Sequence, residues 1–304
     1  MIAYKEAEIS DKEWVDRLLR LSDFRGTEYC FTNIFVWKVV YRIRIAQWND
    51  FLLIRADDGG QLLDIFPGGT GDIKALIDKL MDDAFVERRD FRMAVVGAEK
   101  VALMQQLYPA DFFDITPDRN GWDYIYKVED LTLLPGKRYQ PKRNHIARFT
   151  ELPDWRYEPI TMQNLAECME MNVRWNHQSC ATFDQSLYDE SCAVETGLRH
   201  FKALGLEGAL LRVSGKVVAY TLGEPLNSDT YIVHVEKAFS EFKGAYQMIN
   251  REFIRHNAAS FAYVNREDDA GDEGLRTAKN SYHPHFMEEK YFFAVPYNSL
   301  SLRR

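Results

Sequence analysis

Several groups of residues in this chain have the types and spacing to do chemistry. In the strand-like run Thr230–Ala238, alternation puts His234 and Glu236 on one face. That pairing could orient a general base, or it could be a satisfied buried hydrogen bond. Phe242-Lys243-Gly244-Ala245 breaks the run, and helical spacing resumes from Tyr246 to His256 with Met248, Ile249 and Phe253 on one side. A strand led through a glycine turn into a helix start points free backbone N–H groups at whatever sits there, an arrangement that favours phosphates. The plainer alternative is that Gly244 does no more than make the turn.

The second group follows the strand Phe261–Asn265. The loop Arg266–Glu273 concentrates five carboxylates. Asp272 and Glu273 fall in the first turn of the next helix, where acidic residues complement the macrodipole. Glu267 and Asp268, nearer the strand end, are candidates to receive a cationic amine or to deprotonate it. The third group is Lys137–Arg148, with five Lys or Arg residues, one His and no carboxylate. Lys137, Arg138, Lys142 and Arg143 form an anion-binding candidate near a domain junction, since Arg clamps phosphate in bidentate fashion. A solvated connecting segment is the alternative. His283-Pro284-His285 with Glu288 or Glu289 lacks the spacing of a metal site, so no metal is expected.

The elements that must position these groups come in one order used twice. A helix is expected over Asp11–Leu21, strands over Val39–Trp48, Phe51–Arg55 and Leu62–Phe66, and a helix from Asp72, its cap, to about Asp82. A strand Phe91–Val96, a helix Ala98–Leu107 and a strand Trp122–Lys127 close the first half. The second half repeats this, with helices near Gln163–Asn176 and Gln185–Leu204, then strands Glu207–Val213, Lys216–Leu222 and Thr230–Glu236. After them come the helix Ala245–His256, the strand Phe261–Asn265, the helix Asp272–Ser281 and the strand Phe286–Ala294. Domains are therefore expected at 1–135 and 151–304, joined by a basic connecting segment at 136–150.

Composition sets the outer limits. The chain has 304 residues, 46% hydrophobic and 28% charged, which is the profile of a soluble globular protein. No apolar run approaches the ~18 residues of a membrane span, and the polar N-terminus is unlike a secretory signal, so a cytoplasmic location is expected. Cys30, Cys168, Cys180 and Cys192 fit no disulfide or metal framework and read as reduced thiols. A net charge of −8 argues against DNA or general nucleic-acid binding while leaving room for a local basic site.

Three strings carry a family resemblance: GKRYQPKRNHIARF (Gly136–Phe149), VHVEKAFSEFKGAYQMIN (Val233–Asn250) and YVNREDDAGDEGLRTAKNSYHP (Tyr263–Pro284). With FTNIFVWK (Phe31–Lys38), they resemble the bacterial group related to the C-terminal catalytic domain of phosphatidylglycerol lysyltransferases. The resemblance spans nearly the whole chain. It implies an α+β fold of two tandem acetyltransferase-type (GNAT-like) domains, each a mixed twisted sheet flanked by helices. It also implies transfer of an acyl or aminoacyl group from an anionic donor, acyl-CoA or aminoacyl-tRNA, to an amine or hydroxyl, with no required cofactor. On that likeness Val235 and Lys237 belong to the strand that holds the donor arm, and Lys243, Gly244, Ala245 and Gln247 to the loop that holds its phosphates. Tyr246 and Met248 stand where acetyltransferases carry small residues, a departure that points away from CoA. Tyr282, four residues after Ala278, matches the tyrosine that protonates the leaving group, and a buried core tyrosine is the alternative. Glu236, Glu267 and Tyr282 are thus the expected catalytic residues. A non-catalytic binding module that keeps the fold is the rival reading.

Overall fold

A computed structural model describes residues 1–179 and 185–301; Cys180 lies outside the described residues. The chain packs as two compact units. One comprises Met1–Asp123, Asp268–Gly271 and the chain from Met287 on; the other comprises Tyr124–Glu267 and Asp272–Phe286.

The first unit runs β1 (Lys5–Glu6), α1 (Lys12–Ser22), α2 (Phe31–Val36), β2 (Arg44–Trp48), β3 (Phe51–Asp58), β4 (Gln61–Ile65), β5 (Gly68–Gly69), α3 (Ile73–Val86), β6 (Phe91–Gly97), α4 (Ala98–Leu107) and β7 (Asp114–Pro117). The chain then enters the second unit through β8 (Asp123–Lys127), α5 (Val128–Leu133), α6 (Gln140–Thr150), β9 (Arg156–Pro159), α7 (Leu165–Ser179), α8 (Gln185–Arg199) and α9 (Phe201–Leu204). The meander β10 (Glu207–Val213), β11 (Lys216–Pro225) and β12 (Thr230–Ala238) leads into α10 (Ala245–Asn257), β13 (Tyr263–Asn265), α11 (Glu273–Asn280) and β14 (Phe286–Glu288). Finally β15 (Lys290–Val295) and α12 (Tyr297–Ser301) return to the first unit.

Each unit is a mixed sheet with helices against it. The first sheet has the order β1-β2-β3-β4-β6-β15-β7, the second β14-β8-β13-β12-β11-β10-β9. The last strand of each sequence half therefore completes the sheet of the other. The expected boundary at residue 135 is corrected: β8 belongs with the later residues and β15 with the earlier ones. One cause lies in the first unit's interior, where Lys290 Nζ at the head of β15 meets Asp123 at 2.7 Å and Glu28 at 2.9 Å. A buried ammonium needs such partners, and that requirement fixes where β15 can start.

Core burial follows the expected spacings. Leu76, Ile77, Leu80, Met81 and Ala84 of α3 recur at helical intervals and pack with Phe91, Met93 and Val96 of β6 and Phe293 and Val295 of β15. Asp72 caps α3 as expected, accepting the Ala75 amide at 3.0 Å. Two expectations fail locally. Val39–Trp48 is a strand only from Arg44, because Phe31–Val36 ahead of it is a short helix burying Phe31, Ile34 and Phe35. The basic connecting segment is no linker either. It is α6, part of the second unit, with Ile146 and Phe149 buried beneath it.

Candidate active cleft in the second unit

The geometry that matters begins where β12 and β13 part. They pair in parallel over Thr230–Ile232 and Tyr263–Asn265. The chain after Asn265 then bonds to β8 instead, Arg266 N to Tyr124 O at 3.1 Å. Among the described residues, β12 from Val233 onward has no strand on that side. Side chains span the wedge in place of a backbone ladder.

Two bridges cross it. His234 Nδ1 lies 2.9 Å from Glu267 Oε1, and its Nε2 lies 3.1 Å from Glu224 Oε1 of β11. Glu236 binds the guanidinium of Arg266 and accepts from Asn250 Nδ2 of α10 at 2.7 Å. His234 and Glu236 thus share a face, as the alternation implied. Each is held by its own partner across the wedge rather than by the other. Burial works against the His234 imidazolium, but hydrogen bonds to Glu224 and Glu267 more than offset it and push its pKa up to about 9.

That shift predicts a pH dependence. A histidine whose folded pKa exceeds its unfolded value near 6.5 contributes its full stabilisation below that value and loses it as pH rises through about 9. Up to about 3 kcal/mol is at stake. Urea unfolding of wild type and His234→Gln from pH 6 to pH 10 checks it. The wild type should lose stability progressively between about pH 6.5 and pH 9 and level off above that, and His234→Gln should flatten the loss.

The far wall is cationic and aromatic. Arg266 lies over the rings of Tyr282 and Tyr126, at 4.8 Å and 5.6 Å from their centroids. Its Nε and Nη1 are buried and bond no acceptor among the described residues. Lys142 of α6 reaches Ser281 Oγ at 2.6 Å and sits 4.0 Å from the Tyr282 centroid. Burial, helped by repulsion from Arg266, lowers the Lys142 pKa to about 8. Tyr282 is buried, its carbonyl accepts from Tyr139 Oη at 2.8 Å, and burial raises its phenol above the usual value. The phenol therefore stays protonated at neutral pH.

The remaining expected site residues are distributed unevenly. Lys237 is buried against Trp175, 3.8 Å from the ring, and pairs with Glu190 of α8 at 2.5 Å. Val235 lies opposite Leu222 in the β11–β12 ladder. Lys243 is exposed and Gln247 half-buried at the start of α10, while Ala245 is buried with its amide on Phe242 O at 3.0 Å. Gly244 caps α10 with φ 93°, and a Cβ there would stand 2.0 Å from the His145 carbonyl oxygen of α6. Close packing of α6 on α10 explains the glycine without any ligand. Met248 is buried in the core, so it does not stand over the loop as expected; Tyr246 is partly exposed, with its hydroxyl on Ala238 and Trp175.

The basic group separates as well. Lys137 and Arg138 are exposed, Arg138 lying 3.5 Å from Asp130. Arg143 donates to the carbonyls of Leu134 and Gly136, closing the end of α5. Of the four, Lys142 faces the wedge. Asp268 belongs to the first unit, and Asp272 caps α11 through the Leu275 amide at 2.6 Å. Arg266, Tyr126 and Glu224 were not singled out in the sequence. The one signal for Arg266 was a lone cation at the head of the acidic loop.

Comparisons with known proteins agree with this architecture. The family model described as phosphatidylglycerol lysyltransferase, C-terminal, matches residues 19–294. A crystal structure of a conserved protein of unknown function from Bacteroides thetaiotaomicron is 39% identical, with a TM-score of 0.92 over 97% of this chain and 100% of that one. The structure of L-PGS from Bacillus licheniformis, 16% identical, shares the fold with a TM-score of 0.68 over 98% of this chain and 96% of that one. An uncharacterized protein of Mycoplasmoides gallisepticum is 24% identical over 185 residues, and the match spans 57% of this chain and 56% of that protein. No helix among the described residues is long and apolar enough to cross a membrane. With its two α+β, GNAT-like domains in tandem, the chain belongs to the phosphatidylglycerol lysyltransferase C-terminal family.

Proposed function

We propose that the second unit transfers an aminoacyl group from a tRNA-type donor to an amine or hydroxyl acceptor in the wedge between β12 and β13. The observation that carries this reading is Arg266, whose buried Nε and Nη1 donors are unspent beside Tyr282 and Lys142. Such donors suit the oxygen of an ester carbonyl as negative charge develops on it. The acceptor nitrogen or oxygen attacks the carbonyl carbon, the new bond forms, and the bond to the ribose oxygen breaks. The departing ribose oxygen takes a proton from Tyr282. Lys142, with a pKa of about 8, reprotonates the phenolate, and the proton that the acceptor sheds on bonding passes to the Lys142 amine, which closes the cycle. Glu236 and Glu267 act by holding Arg266 and His234 in place, a positioning role that replaces the deprotonation expected of them. Membership of the lysyltransferase family and the L-PGS-like fold support the donor class.

Tyr246 over the end of β12 speaks against CoA as donor. Acetyl-CoA is therefore expected to leave the melting temperature unchanged, where a true ligand at 100 times its Kd would add about 2.7 kcal/mol. Charged tRNA should bind, and Lys142→Glu should weaken that binding more at low salt than at high salt. Tight acetyl-CoA binding with contacts from Lys243, Gly244 and Ala245 would replace this reading with a plain N-acetyltransferase. Binding of neither donor would favour the non-catalytic module, to which the saturated Glu236 and Glu267 bridges lend weight.

A further inference from the structure

Four buried polar atoms gather about Glu236 with no hydrogen-bond partner among the described residues: Nε and Nη1 of Arg266, Oδ1 of Asn250 and Oγ1 of Thr221. Thr221 stands directly opposite Glu236 in the β11–β12 ladder. Residues paired in this way put their side chains on one face, with Cβ atoms about 5 Å apart. That face lies under α10, because Asn250 of α10 donates to Glu236 at 2.7 Å. The neighbouring Tyr220 points the other way, its hydroxyl on Asn172 of α7 at 2.7 Å.

Thr221 is 0% exposed and Asn250 1%. A hydroxyl and an amide oxygen buried so deeply cost stability when nothing bonds them. A valine at position 221 would fill nearly the same space in this strand without that cost. Polar atoms held under such a penalty point to a partner that arrives from outside.

The unspent atoms are of two kinds. Asn250 Oδ1 and Thr221 Oγ1 accept, and beside the Glu236 carboxylate they suit several N–H donors on one nitrogen. Arg266 Nε and Nη1 donate, and suit a carbonyl oxygen. An α-aminoacyl ester offers both, its nitrogen on the carbon next to the carbonyl. A plain acyl ester has the carbonyl alone, and an α-hydroxyacyl ester brings a single O–H.

We propose that Asn250, Thr221 and Glu236 receive the α-amino group of the donor, so that the wedge selects α-aminoacyl esters over acyl or hydroxyacyl ones. The inference rests on the aminoacyl-transfer reading, and it adds Thr221 and Asn250 to that reading as specificity-determining residues.

Filter retention by the full chain of one tRNA pool in three forms tests it. The forms are charged with amino acids, charged and then treated with nitrous acid to turn each α-amino group into a hydroxyl, and uncharged. The charged form should bind at least about tenfold more tightly than the hydroxyacyl form. Thr221→Val should narrow that preference to about threefold or less, while the urea midpoint of the free protein stays or rises. Thr221→Ser keeps the hydroxyl and should keep the preference. Charged tRNA bound no more tightly than uncharged would overturn the aminoacyl-transfer reading and this inference together. Equal binding of the charged and hydroxyacyl forms, both above uncharged, would overturn this inference alone. So would a preference untouched by Thr221→Val, which would leave these atoms to buried water. A lower urea midpoint for Thr221→Val would mean that the hydroxyl is already bonded in the free protein, and would overturn it too.

Discussion

Gly244→Ala is expected to destabilise the protein by about 3 kcal/mol or more, from strain and overpacking together. The added Cβ would lie 2.0 Å from the His145 carbonyl oxygen, 2.8 Å from its carbon and 3.1 Å from the Phe149 Cβ. The nearest of these are backbone atoms of a helix, so no flexible side chain can yield. The position also has φ 93°, where a Cβ is strained whatever the space. Gly215→Ala separates the two causes, because Gly215 has φ 81° with nothing within 4 Å of a Cβ. It should cost about 1 kcal/mol. Urea midpoints for both variants decide the matter. Equal losses would mean that α6 does not crowd the start of α10, and Lys142 would lose its place beside Tyr282.

Arg266→Met is expected to cost 3 to 5 kcal/mol, roughly what is lost when one partner of a buried ion pair is removed. The loss comes mainly from Glu236, whose carboxylate is 11% exposed and would keep Asn250 but no cation. Adding Glu236→Gln should restore much of that stability, since the stranded charge disappears. The double-mutant cycle should therefore show a coupling of about 2 kcal/mol or more. A coupling near zero would mean that the pair does not hold the wedge, and the positioning role given to Glu236 would fall.

Much of the frame was legible because it rests on local rules. Helix α3 announces itself by Leu76, Ile77, Leu80 and Ala84 and by its Asp72 cap, and α10 by Met248, Ile249 and Phe253. Asp272 likewise announces the start of α11. The partners of β8 and β15 were not legible. A strand's alternation says which face is buried, and says nothing of which sheet receives it. The exchange depends on pairings such as Lys290 with Asp123, far apart in sequence. For the cleft, alternation correctly put His234 and Glu236 together on one face. Arg266 and Lys142 were harder to see: one stands in an acidic loop and the other in a basic run, and their meeting over Tyr282 arises only when α6 and α11 fold together.

The proposed donor site is the wedge of the second unit. Hydrogen exchange in the presence of a non-hydrolysable aminoacyl-tRNA tests it without knowledge of the acceptor. Protection is expected in β12 from Val233, in the first turn of α10 and around Tyr282, with CoA producing none. Protection confined to the first unit, or no protection by the tRNA analogue beside clear protection by CoA, would contradict it.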